Sequence, residues 1–125
     1  MKYIKEKIGT KNDHEIYKIK FENDNNYSIE FYNYGCYINS VRIPYYSDPS
    51  QSEDVLLGYK HFEGYLGDTS YLNCIVGRVC GRISNSKFIF NNNEYKIISN
   101  DGNHHIHGGK EGFNKKIWNG WKTDC

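Results

Sequence analysis

Tyr17-Lys18-Ile19-Lys20-Phe21 and Tyr27-Ser28-Ile29-Glu30-Phe31 decide the fold. In each, apolar and polar residues alternate with period two, so an extended chain turns one face to a core and the other to water. That is the pattern of half-buried antiparallel strands, and the polar residues 22–26 between them read as a turn. Working outward, Asn33-Tyr34-Gly35 punctuates the chain, and Gly35 suits a positive φ. Residues 37–43 read as a further strand. Residues 44–54, with Ser47-Asp48-Pro49-Ser50-Gln51-Ser52 at their centre, read as a loop inside a domain. Asn91-Asn92-Asn93 is a tight turn because Asn tolerates left-handed φ, and it joins the strands on either side within 87–97 into a hairpin. No stretch carries an amphipathic helix of three turns, and the expected class is all-β.

Sixteen Lys plus Arg stand against fifteen Asp plus Glu, a formal net charge of +1, with the signs interleaved along the 125 residues. This balance gives no basis for a nucleic-acid or membrane partner. Lys5-Glu6-Lys7 and Lys115-Lys116 read as solvated faces, and no apolar run approaches the ~20 residues of a membrane helix. Cys36, Cys74, Cys80 and Cys125 include no Cys-x-x-Cys pair, and the first residues, Met1-Lys2-Tyr3-Ile4-Lys5, have no apolar signal core. A reduced, cytoplasmic setting is expected.

Two motifs carry the chemistry. In Gly77-Arg78-Val79-Cys80-Gly81-Arg82-Ile83, Arg offers a charged, forked donor for hydroxyl and ring oxygens. In Asn103-His104-His105-Ile106-His107-Gly108-Gly109, His can donate, accept or move a proton near neutral pH, and the paired glycines let backbone come close to a ligand. Together with Asn33-Tyr34-Gly35-Cys36, Asp54-Val55-Leu56-Leu57-Gly58-Tyr59, Glu63-Gly64-Tyr65, Tyr71, the 87–97 hairpin, Gly112-Phe113-Asn114-Lys115 and Trp118, they form an ordered series. Over roughly residues 15–121 this series resembles the aldose 1-epimerase, or mutarotase, family.

The resemblance implies an antiparallel β-sandwich of the galactose mutarotase-like supersandwich type. Residues 1–125 would form only the amino-terminal part of that single domain, because the family's enzymes are considerably longer. The aromatic-rich ending, with Trp118, Trp121 and Cys125, suits a truncated chain. The implied activity of the parent protein is interconversion of the α and β anomers of an aldohexose such as glucose or galactose. The implied partner is a small-molecule sugar, with no cofactor and no metal.

By the same resemblance Arg82 would donate hydrogen bonds to sugar oxygens, and His107 would bind the sugar and steady charge near the ring oxygen. Gly81 stands where many members carry a sugar-binding Asn, so any contribution must come from its backbone. His105 would support the site from behind, and Arg78 would serve the fold. His104 and Asn103 stand where Asn and Pro are usual. Mutarotation needs an acid for the ring oxygen and a base for the C1 hydroxyl. The family's His acid, Glu base and substrate-binding Asp lie farther along its chains, so none of the principal acid/base pair is present here. The chain alone is then expected to bind without turnover, or to be a non-catalytic carbohydrate-binding remnant. A rival reading is a metal-binding cupin, since His105, His107 and Glu111 have the spacing of that group's first metal motif. Gly108-Gly109 argues for a turn there instead. Tyr45, Tyr46 and Tyr59 are expected in core or loop packing, and Phe113 beneath the site.

Overall fold

The structure, a computed structural model, describes residues 1–120; Trp121 and Cys125 lie outside the described residues. Five strands, β1 (Lys2–Lys11), β2 (His14–Glu22), β3 (Ser28–Tyr32), β4 (Ile38–Pro44) and β5 (Ser52–Asp54), form one antiparallel sheet in sequence order. A short helix, α1 (Phe62–Leu66), follows. Beyond it come β6 (Arg82–Ile83), β7 (Lys87–Phe90), β8 (Asn93–Lys96) and β9 (His105–Ile106). β7 pairs with β8 and β6 with β9, both antiparallel. The all-β expectation holds.

The alternating segments sit where their pattern requires, β2 pairing with β3 from Lys18↔Tyr32 to Glu22↔Ser28. Asn91 and Asn92 adopt φ of 47° and 60°, the left-handed pair of a two-residue hairpin turn. Two strands depart from the sequence reading. β1 is a ten-residue edge strand in a stretch read only as charged surface. Its lysines suit an unpaired edge, and its hold on β2 includes Lys18 Nζ to Glu6 Oε2 at 3.1 Å and Lys5 Nζ 4.0 Å from the Tyr17 ring centre. The 44–54 loop is shorter than read, because its last three residues pair with β4, and Arg42 Nε donates to Ser52 Oγ at 2.9 Å.

The core is built mainly from tyrosine. Ile16, Tyr32, Tyr34, Tyr37 and Tyr65 are buried together, with Phe62, Tyr59, Cys74 and Ile117 packed around them. Ring centres of Tyr37 and Tyr65 lie 5.0 Å apart and those of Tyr32 and Tyr65 5.4 Å apart. A buried phenol needs a partner for its hydroxyl. Tyr65 Oη donates to Asn39 Oδ1 at 3.2 Å and Tyr37 Oη to Asp68 Oδ2 at 3.1 Å. Burial pushes the Tyr32 hydroxyl up to about 12, so it stays protonated. Gly35, at φ +61°, passes so close to Asn114 O and the Tyr37 ring that a side chain would overlap both.

Tyr46 corrects the packing expectation: it is wholly exposed, and Tyr45 is exposed beside it. Tyr59 does pack against the core, meeting Tyr65 edge to face at 5.0 Å. The opposite extreme is the β7–β8 hairpin, where Phe88, Ile89, Phe90 and Tyr95 are all exposed.

Candidate functional site

The two-residue ladder of β6 and β9 brings the motifs together, with Arg82 opposite Ile106 and Ile83 opposite His105. His107 follows β9 directly and leaves strand geometry at φ +53°. A double clasp holds it: His107 N donates to Gly81 O at 3.1 Å, and Gly81 N donates to His107 Nδ1 at 3.1 Å. Since Nδ1 accepts, the neutral ring carries its proton on Nε2, a donor with no protein partner among the described residues. Gly108, at φ +88°, lies against Gly77 so closely that a Cβ would overlap the Gly77 carbonyl. Glycine is thus required for the 107–109 turn to reach the 77–81 segment ahead of β6.

His107 lines a cavity of about 400 Å³ shared with Asp68, Tyr71, Asn100, Asp101 and Lys115. The Tyr71 ring meets the His107 ring edge to face, centre to centre 4.7 Å. Arg82 does not itself line this cavity: its side chain is 62% exposed and reaches it only through Asp101, to whose Oδ2 its Nε donates at 2.6 Å. Among the described residues its two terminal nitrogens have no hydrogen-bond partner, so their N–H bonds remain to donate. A larger open groove of about 570 Å³ lies elsewhere, beside Tyr17 and Trp118. The smaller cavity is the candidate site because it gathers His107, a buried carboxylate and convergent amide groups.

The remaining motif residues divide clearly. His105 is buried, and its Nδ1 lies 2.8 Å from Ile98 O. A carbonyl can only accept, so that nitrogen carries the proton and the ring braces the 98–109 loop. Gly81 contributes its backbone N–H and carbonyl to His107. His104 Nδ1 accepts from Asn85 N at 3.1 Å, and the Arg78 guanidinium sits 5.2 Å above the Phe113 ring. Phe113 packs against Trp118 and Gly77. The cupin arrangement does not form here: His107 is off the strand, and because its Nδ1 accepts from Gly81 N its Nε2 carries the proton and is not a lone-pair ligand. Among the described residues no group of three or more His, Cys, Asp or Glu is placed to hold a metal ion.

Sequence reasoning passed over Asp68, Asn100 and Asp101. Asn100 Oδ1 accepts from Ile106 N at 2.8 Å and its Nδ2 donates to Ile106 O at 2.9 Å, so the amide replaces a missing strand neighbour just before His107. Asp68 is 3% exposed and its carboxylate accepts four hydrogen bonds, from Tyr37 Oη, Tyr59 Oη, Ser70 N and Leu72 N. Burial pushes this carboxyl up, but those bonds outweigh it, led by Ser70 N–H and Tyr59 Oη, and the group is held below the usual carboxylate range. The only local signals were turn-forming clusters, Asp68-Thr69-Ser70 and Asn100-Asp101-Gly102.

The family profile described as aldose 1-epimerase matches residues 17–124. The chain belongs to the aldose 1-epimerase family. Among curated relatives, the galactose mutarotase of Bos taurus is 34% identical over 90 residues, covering 72% of this chain and 26% of the relative. The aldose 1-epimerase of Haemophilus influenzae is 38% identical over 101 residues, covering 81% and 28%. The solved galactose 1-epimerase of Lactobacillus acidophilus NCFM superposes with a TM-score of 0.80 at 27% identity, covering 94% of this chain and 33% of that one. This epimerase-family chain therefore has a galactose mutarotase-like β-sandwich fold and spans about a quarter of the length of the curated relatives it matches. The matched part is their amino-terminal region. No helix among the described residues is long and apolar enough to cross a membrane.

Proposed function

We propose that this chain supplies the amino-terminal share of a mutarotase site, binding an aldohexose such as glucose or galactose through His107 and Arg82. The observation that carries this reading is the clasp on His107, which leaves Nε2–H as a fixed donor on a cavity rich in amide and carboxylate groups. Anomer exchange breaks the C1–O5 bond: O5 gains a proton, the C1 hydroxyl loses one and becomes a carbonyl, and the ring recloses on its other face. His107 Nε2–H donates toward the ring oxygen as negative charge builds there, and the free N–H bonds of Arg82 hold hydroxyls. Gly81 and His105 act through the backbone they fix. The principal acid and base belong to the part of the family's fold that this chain does not span. By itself it binds sugar without turning it over. No cofactor or metal is needed for these roles. Cys36, Cys74 and Cys80 are free thiols, which suits a reducing cytoplasm.

Calorimetric titration with galactose tests the reading, since binding should be saturable in the chain and lost in His107→Ala. Polarimetry on fresh α-glucose should show no acceleration. A His107-dependent acceleration would refute the division of labour, and the absence of binding would refute the site.

A further inference from the structure

Tyr71 has no ordinary reason to hold its conformation. Its φ is +56°, unusual for an aromatic residue, and its ring lies against the ring of His107, itself at φ +53°. Two non-glycine residues in the left-handed region, in contact across a cavity, persist only where surrounding bonds over-determine them. Here those bonds converge on one group. The Asp68 carboxylate accepts from Ser70 N at 3.0 Å through Oδ1 and from Leu72 N at 3.0 Å through Oδ2. These are the N–H groups on either side of Tyr71. The same oxygens are anchored to the core by Tyr59 Oη at 2.9 Å and Tyr37 Oη at 3.1 Å. On the far side, Asn100 grips Ile106 and also reaches Tyr71 Oη at 3.4 Å.

We infer that Asp68 and Tyr71 form a positioning device for His107: the buried carboxylate shapes the 70–72 turn, and the turn presses the Tyr71 ring edge to face against the imidazole. The Gly81 N–H fixes which nitrogen of His107 accepts, while Tyr71 fixes the plane in which Nε2–H points. Neither residue needs to touch the sugar to act this way. The inference rests on the reading of His107 as a sugar donor only for its consequence in binding; the ring placement stands independently.

Nuclear magnetic resonance of the chain, with ring nitrogens of histidine observed directly, tests it. The wild type should show His107 as a single Nε2–H tautomer, with Overhauser contacts to the Tyr71 ring and ring protons shifted by it. Tyr71→Phe keeps the ring and should keep both signals. Tyr71→Leu should remove the shift and the Overhauser contacts while the Gly81 N–H keeps the Nε2–H tautomer, and galactose affinity should fall about two- to tenfold, the worth of one aromatic pair. Asp68→Asn turns an acceptor toward donor and should reproduce the Tyr71→Leu spectrum while leaving Tyr71 in place. Wild-type protein lacking Tyr71–His107 contacts would overturn the device without recourse to any variant, as would unchanged His107 signals in a folded Tyr71→Leu chain. Altered ring signals with no sugar binding in any form would keep the device and remove the sugar-site reading instead.

Discussion

In the β1–β5 sheet, strands are held by long ladders, β1 alone registering with β2 from Lys2↔Glu22 to Lys11↔His14 with one register shift between Lys7 and Gly9. The site segment has almost none of this: β6 and β9 share two residue pairs, and the β7–β8 hairpin turns its apolar residues outward. What replaces ladders at the site is a set of single contacts: the Gly81 clasp, the Asn100 amide on Ile106, the Asp68 carboxylate, and a glycine where two backbones meet. A sheet distributes its stability over many equivalent bonds, so no one of them is decisive. The site concentrates its geometry in a few, and each should be individually breakable.

The sharpest break is Gly108→Ala. Both the left-handed backbone and the missing space against Gly77 oppose a side chain, so we expect a loss of about 4 kcal/mol or more in denaturant unfolding, with the His107–Gly81 clasp gone. Tyr37→Ala tests the other region. It empties a fully buried ring site and strips a donor from Asp68, and a loss of about 3–5 kcal/mol is expected from the same measurement.

Asp68→Asn bridges the two regions and should cost about 2–3 kcal/mol at neutral pH, the penalty of disturbing a buried, multiply bonded carboxylate. The pH dependence has a definite sign. The folded-state carboxyl is held below its unfolded value of about 3.9. Its contribution is therefore complete above that pH and disappears as pH falls through the folded value. The gap in unfolding midpoint between wild type and Asp68→Asn should accordingly narrow below about pH 4. A gap constant down to strong acid would show that Asp68 is not ionised in the folded state.

Ile89→Ser is the control at the small end. Ile89 is 73% exposed, and the change should stay within about 0.5 kcal/mol. A large loss would mean that the hairpin packs in the isolated chain and that its apolar residues are not turned to water.

The same contrast explains what could be read beforehand. β2 and β3 were legible because a two-sided environment writes period-two alternation into the chain, and the Asn91-Asn92 turn because left-handed φ selects its residue type. β1 was opaque: an edge strand mostly exposed on both faces, with only Tyr3, Ile8 and Lys11 half-buried, does not alternate, and its Lys-Glu composition looks like any solvated surface. The Arg82 and His107 motifs were visible through their blocks, yet Asp68, Tyr71 and Asn100 were not seen as parts of one constellation. Their roles depend on bonds to backbone atoms from 2 to 6 residues away, and on ring contacts 36 residues apart in the case of Tyr71 and His107. Local pattern carries none of that information.

The central claim is that His107, held by Gly81 and Tyr71, presents Nε2–H to a sugar in the cavity it shares with Asp68 and Asn100. Titrating the isotope-labelled chain with galactose while following its resonances tests this most directly. The account predicts saturable shifts at His107, Tyr71 and Arg82, together with a hydrogen-bond-induced shift of the His107 Nε2 proton. Saturable shifts confined to the groove beside Tyr17 and Trp118, with His107 unmoved, would contradict it.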